Sequence, residues 1–188
     1  DAVAAGQLVE PLLEAAQRQS AQRRAAGRKA AGAGFGSWHA DADDRIVRRN
    51  LSAYQEVVEI RTPGRGFTDV TVKVQEVVAR SGLTTALCTV FIQHTSASLV
   101  IQENADPNVL RDLGAWLADL APESRPWVHD DEGPDDMPAH ARAAITKTSE
   151  TIPVSSGRLA LGVWQGLYVW EHRARPHARK LVVHVAGD

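Results

Sequence analysis

Residues 129–140 read HDDEGPDDMPAH, two histidines and five carboxylates within twelve positions, with a Gly-Pro bend between the histidines. An imidazole beside carboxylates, on a chain that folds back on itself, is the donor set of a divalent cation site. Without a cation, carboxylates this close repel, raise one another's pKa and weaken the turn. His129 and His140 are the ligand pair that this pattern favours. A plainer alternative makes Asp130 and Asp131 solvated loop charges, and Asp135 and Asp136 caps for the helix that follows. Glu132, next to Gly133, is harder to assign to either role.

A second polar cluster lies in FIQHTSASLVIQENAD, residues 91–106. A buried strand ends at His94 and turns through Thr95, Ser96, Ala97 and Ser98, and a further apolar stretch leads to Glu103, Asn104 and Asp106. Small hydroxyl residues at a strand end let backbone N–H groups approach an anion. A Ser/His nucleophile pair is the rival chemistry, but no G-x-S-x-G turn accompanies Ser96 or Ser98. His94 alone also fits a structural histidine closing a core strand.

Elements must hold these clusters in place. SAYQEVVEI (52–60) alternates as a strand and TPGRG breaks it. In FTDVTVKVQEVV, Val70, Val72 and Val74 share one face, which predicts a half-buried strand running into a short helical or irregular piece. TTALCTVFIQ is almost continuously apolar and reads as a central strand, with Cys88 as a small core residue. Asp106 caps a helix with Pro107 in its first position, and Val109, Leu110, Leu113, Trp116, Leu117 and Leu120 form its apolar face. A second helix begins at Asp135 or Asp136, with Pro138 in its first turn, and carries His140. Strands return in TIPVSSGRLALGVWQGLYVWEHR and KLVVHVAG. Alternation from 163 to 173 sets Gln165, Glu171 and Arg173 on one face and Trp164, Tyr168, Trp170 and His172 on the other. Strands on both sides of two helices predict an α+β sandwich of mostly antiparallel strands.

The chain has 188 residues, 44% of them hydrophobic, enough for one core with an appendage. A formal net charge of −2 gives no basic field, so nucleic acid is not an expected partner. No run of about 18 apolar residues predicts a membrane span. Residues 1–37 differ from the rest: Ala and Gly dominate, and Arg18, Arg23, Arg24, Arg28 and Lys29 form a basic run. Leu8, Val9, Leu12, Leu13 and Ala16 follow helical spacing, which predicts an amphipathic helix and a flexible linker ahead of an α+β domain over 38–188. This extension reads as a targeting remnant, a clasp on a larger assembly through residues 1–36, or a solvated tail. The compartment is accordingly cytoplasm or, if the start is a cleaved targeting segment, an organellar matrix (mitochondrion or plastid).

From about Tyr54 to the end, the sequence resembles the YjbQ family, also called the secondary thiamine-phosphate synthase family. HTSASL, ENADP, HDDEGPDDMPAH, TIPV, GRLALG and WQGLYVWEHR carry the resemblance in order. Val163 stands where a threonine is usual, and RARPHARK is a variable loop. The resemblance implies a β-sandwich α+β fold assembled as a homotrimer. It also implies a weak activity joining a pyrimidine diphosphate to a thiazole phosphate, with release of pyrophosphate.

Combining the resemblance with the residues, His94, His129 and His140 are expected to converge on one divalent metal, zinc first and magnesium as the alternative. Glu132 and Asp136 would orient the imidazoles or hold a water. Arg173 and the turn from Thr95 through Ser96 to Ser98 would grip phosphate, with Asn104 and Gln165 as further substrate contacts. Glu171 would act as general base or steer Arg173. The same parts suit metal-assisted hydrolysis of a phosphoester. A third reading keeps the chain as a structural subunit docked by its extension.

Overall fold

The computed structural model describes residues 52–188. The extension over 1–37 and the expected domain start at 38 lie outside the described residues. Strand β1 (Ser52–Thr62) is followed by the short β2 (Gly66–Asp69) and helix α1 (Thr71–Ser81). Strands β3 (Thr85–Ile92) and β4 (Ala97–Glu103) precede helices α2 (Pro107–Leu120) and α3 (Asp136–Ile145). Four strands complete the chain: β5 (Ser149–Ser155), β6 (Arg158–Leu159), β7 (Gln165–Glu171) and β8 (His177–Gly187).

These strands form two antiparallel sheets, one ordered β1-β8-β3-β5-β6 and the other β2-β7-β4. Alternation fixes which side chains meet between them. Cys88, Val90 and Ile92 of β3 pair with Val185, Val183 and Leu181 of β8, and all six are buried. Ala97 and Leu99 of β4, with Leu167 and Val169 of β7, join the same core from the second sheet. Burying Leu99 or Leu167 fully contributes on the order of 2 kcal/mol each.

The expected α+β sandwich is present, with one correction to its helix count. Residues 71–81 form a third helix, where alternating valines predict a strand running into a short helical or irregular piece. Val70, Val74, Val77 and Val78 are all buried and spaced four, seven and eight residues from the first, a helical stripe that the shorter 70-72-74 alternation masks. Val72, on the other face, is exposed. Asp69 accepts a 2.8 Å bond from the Thr71 N–H at the helix start, and Gly82 ends the helix in the left-handed region.

Helices α2 and α3 contact the three-stranded sheet. Asp106 caps α2 by accepting from the Asn108 N–H at 2.9 Å, with Pro107 in the first turn as the sequence predicts. Its apolar face is only partly used: Leu117 is buried, but Trp116 and Leu120 stay more than half exposed. No helix among the described residues is long and apolar enough to cross a membrane.

Candidate metal centre

Asp136 opens α3 and His140 follows it by four residues, which sets both side chains on one face of the helix. His129 reaches the same point from the preceding loop, whose bend uses Gly133 at φ +105°, a conformation that disfavours side chains. His129 Nε2 lies 2.8 Å from Asp136 Oδ2, and His140 Nε2 lies 3.4 Å from the same oxygen. One ligand atom from each of the three residues lies within 4.8 Å of the others. His140 Nδ1 is 3.1 Å from the Thr95 carbonyl oxygen, so that nitrogen carries the proton. Nε2 is left with its lone pair directed at the cluster, as metal-binding imidazoles require.

Asp136 is buried, and Arg173 holds it from behind. Arg173 Nη1 donates to Asp136 Oδ1, Nε donates to Asp135 Oδ2 at 3.1 Å, and Nη2 donates to the Glu132 carbonyl oxygen at 2.9 Å. Asp135 also accepts from the Ala174 N–H at 2.7 Å. Burial alone would raise the Asp135 pKa, but the Ala174 N–H and the guanidinium offset it and leave it below the usual range. Asp135 makes no side-chain capping bond to α3. The capping role therefore gives way to a clamp on Arg173. Arg173 directs three of its five N–H donors at this loop, which makes it a positioning group for Asp136 beside the expected phosphate grip. The exposed Glu132 side chain lies 3.8 Å from Arg173 Nη1, at the rim.

Glu171 is corrected in the same way. It points between the sheets, fully buried, and accepts from Thr62 Oγ1 at 2.7 Å, Arg179 Nε at 2.7 Å and the Arg173 backbone N–H at 3.0 Å. Burial favours the protonated form, but Arg179 and these donors more than offset it and hold the carboxyl below its ordinary value. A carboxylate committed to so many donors is a poor general base. Its bond to Arg173 goes to the backbone N–H and not to the guanidinium.

Arg179 escaped the sequence reading because RARPHARK looked like a loop. In β8 it precedes Leu181, Val183 and Val185 at intervals of two, so alternation aims a guanidinium inward, and such a charge requires a partner. Besides Glu171, it donates to Ser96 Oγ at 3.2 Å and approaches His94 Nδ1 at 3.4 Å. His94 Nε2 accepts from the Lys180 N–H at 2.9 Å. Nε2 is spent as an acceptor from the backbone, so His94 is not in the three-residue cluster, and Asp136 takes the place the sequence assigns to it. Burial first, then the charge of Arg179, lowers the His94 pKa.

The remaining residues separate. Thr95 and His94 line a 250 Å³ cleft with His140 and Thr148. Ser98 is buried on the other face of β4, 2.9 Å from His172 Nε2, and cannot meet a substrate in that cleft. Asn104 donates to the carbonyls of Val163 and Gln165, and Gln165 Oε1 accepts from the Gly162 N–H. They stand where Glu103 pairs with Gln165, six residues from the Ala97–Glu171 pair, about 20 Å along the strands. They brace a distant turn.

Fold and cluster together define a two-sheet α+β protein with a histidine-carboxylate cluster at the start of one helix and the loop before it. The chain belongs to the family of UPF0047 YjbQ-like proteins, whose model matches residues 56–188. A UPF0047 protein of Synechocystis is 57% identical over 72% of this chain and 92% of its own length. The UPF0047 protein YjbQ of Escherichia coli is 35% identical over 72% of this chain and 99% of its own. The crystal structure of an uncharacterised YjbQ/UPF0047 protein from Clostridium acetobutylicum superposes with a TM-score of 0.62 at 33% identity, covering 70% of this chain and 98% of that one.

Proposed function

We propose that the chain is a metal-dependent enzyme acting on phosphorylated small molecules, with a divalent cation held by His129 Nε2, His140 Nε2 and Asp136. The observation that carries this reading is the 4.8 Å cluster of two imidazoles and one buried carboxylate. Its donor set fits zinc, with magnesium the weaker alternative, because imidazole nitrogens suit the softer ion. When bound, such a cation supplies Lewis-acid stabilisation to phosphoryl oxygens. The chain's own residues do the positioning. The Thr95 carbonyl fixes the His140 tautomer, Arg173 fixes Asp136, and the cleft beside His140 gives a phosphate access to the cluster.

The reaction that the family resemblance favours forms thiamine phosphate. The thiazole nitrogen attacks the methylene carbon of the pyrimidine diphosphate, the carbon–oxygen bond breaks, and pyrophosphate leaves with the electron pair. Charge builds on the leaving group, where positive charge is most effective. Hydrolysis of a phosphoester by the same parts is the second enzymatic reading. A homotrimer is supported by the outer face of the larger sheet, which the other described residues leave exposed. There Val57, Val182 and Phe91 form one row across β1, β8 and β3, and Ala53, Ala186 and Leu87 form another. Val57, Leu87 and Phe91 are exposed. The docking role of the extension is supported by its position outside the family match.

Elemental analysis of the folded full chain, beside His129→Ala and His140→Ala, tests the centre. We expect close to one divalent ion per chain in the parent and loss in both variants, followed by metal-dependent formation of thiamine phosphate. An ion-free parent after reconstitution with zinc and magnesium would remove the metal reading. Metal-dependent hydrolysis of phosphoesters without synthase activity would select the hydrolase.

A further inference from the structure

A separate cavity lies between α2 and the smaller sheet, and nothing in the proposed metal chemistry uses it. Its volume is 370 Å³, room for a ligand of one or two rings. One wall is aromatic, with Phe67 and Trp170 stacked at 4.5 Å between ring centroids. Three cations line it, Arg65, Arg111 and Arg142, and no carboxylate does. Arg65 is paired outside the cavity with Glu123, and Arg111 bonds to Asn108. Arg142 is 3% exposed, donates through Nη2 to the Ala121 carbonyl at 2.8 Å, and leaves its Nε–H without a partner among the described residues. A buried guanidinium is costly without a counter-charge, and an anion in the cavity beside Arg142 supplies one.

Gly114 is the second observation. It sits in the middle of α2, where alanine would stabilise the helix. No neighbour demands a glycine there, since an added Cβ would meet nothing within 4 Å. Gly114 lines the cavity. The helix forgoes a side chain at the point where one would fill the space.

We propose that this cavity binds a planar aromatic anion, its ring against Phe67 and Trp170 and its carboxylate or phosphate towards the arginines. Such a ligand meets the aromatic wall and the cationic lining together, which a neutral ring or a bare anion does not. His172, on the same wall, is neutral and bonded to Ser98, so it adds no competing charge.

Titration calorimetry on the full chain tests this, using benzoate and phenyl phosphate as the two anion sources, with benzamide and inorganic phosphate as controls. Saturable binding of one aryl anion per chain is expected, at least tenfold tighter than benzamide, without competition from inorganic phosphate and unchanged in EDTA. Gly114→Leu should weaken binding at least tenfold while the melting temperature holds or rises. Arg111→Gln, at the mouth, should weaken it several-fold without loss of fold. The proposal fails if neither aryl anion binds, if benzamide binds equally, if EDTA abolishes binding, or if Gly114→Leu binds like the parent.

Discussion

Arg173 grips one oxygen of Asp136 while the other faces the two imidazoles, so the carboxylate offered to a cation is already held and partly neutralised from behind. Arg173→Met removes the grip and leaves Asp136 buried with only the two imidazoles as partners. Metal affinity should fall 10- to 100-fold, and the metal-free protein should lose about 3 kcal/mol. Competition against a chelating dye, with urea melts alongside, measures both. Parent-like affinity would show that Asp136 needs no help in holding its place.

Glu171 and Arg179 make the opposite prediction for metal. Glu171→Gln strands a buried guanidinium and should cost about 3 to 5 kcal/mol, yet metal content of the folded fraction should equal the parent's. If instead stability hardly moves and thiamine phosphate formation disappears, Glu171 is a general base after all.

His172 sets a pH dependence. Burial foremost, then the nearby charge of Arg142, lowers its pKa to about 3. The unfolded chain therefore takes up a proton near pH 6.5 that the native one refuses. Stability from this residue is complete above pH 6.5 and is lost as pH falls, by about 1.4 kcal/mol per unit, until pH nears 3. His94, also lowered, adds in the same direction. Thermal melts between pH 7 and 5 should slope steeply in the parent and flatten in His172→Gln, whose amide can still meet Ser98.

The apolar rows on the larger sheet give an oligomer prediction. Phe91→Glu and Leu87→Glu place charge on exposed positions and should leave the monomer fold intact. Light scattering coupled to size exclusion should read a trimer for the parent and a monomer for both. A monomeric parent, or trimeric variants, would assign that face another role.

How much could be read beforehand depended on range. Asp136, His140 and the start of α3 were legible because a carboxylate, a proline and a histidine at four-residue spacing are local facts. The position of His94 outside the cluster was not legible because Lys180, whose N–H occupies its Nε2, comes from a strand 86 residues away. The contacts of Arg173 with Asp135 and Asp136 were not legible for the same reason: these carboxylates approach from a different loop. Helix α1 was hidden by its own valines, which satisfy both periods over a short window.

Strand β8 lies between β1 and β3, with residues 177–187 zipped to β1 on one side and 181–187 to β3 on the other. During synthesis the first and third strands leave the ribosome with the slot between them empty. The larger sheet is therefore a keystone arch whose last stone is made last. Until residues 177–187 are made, β1 and β3 each keep an unpaired edge, a template for wrong pairing that only β8 removes.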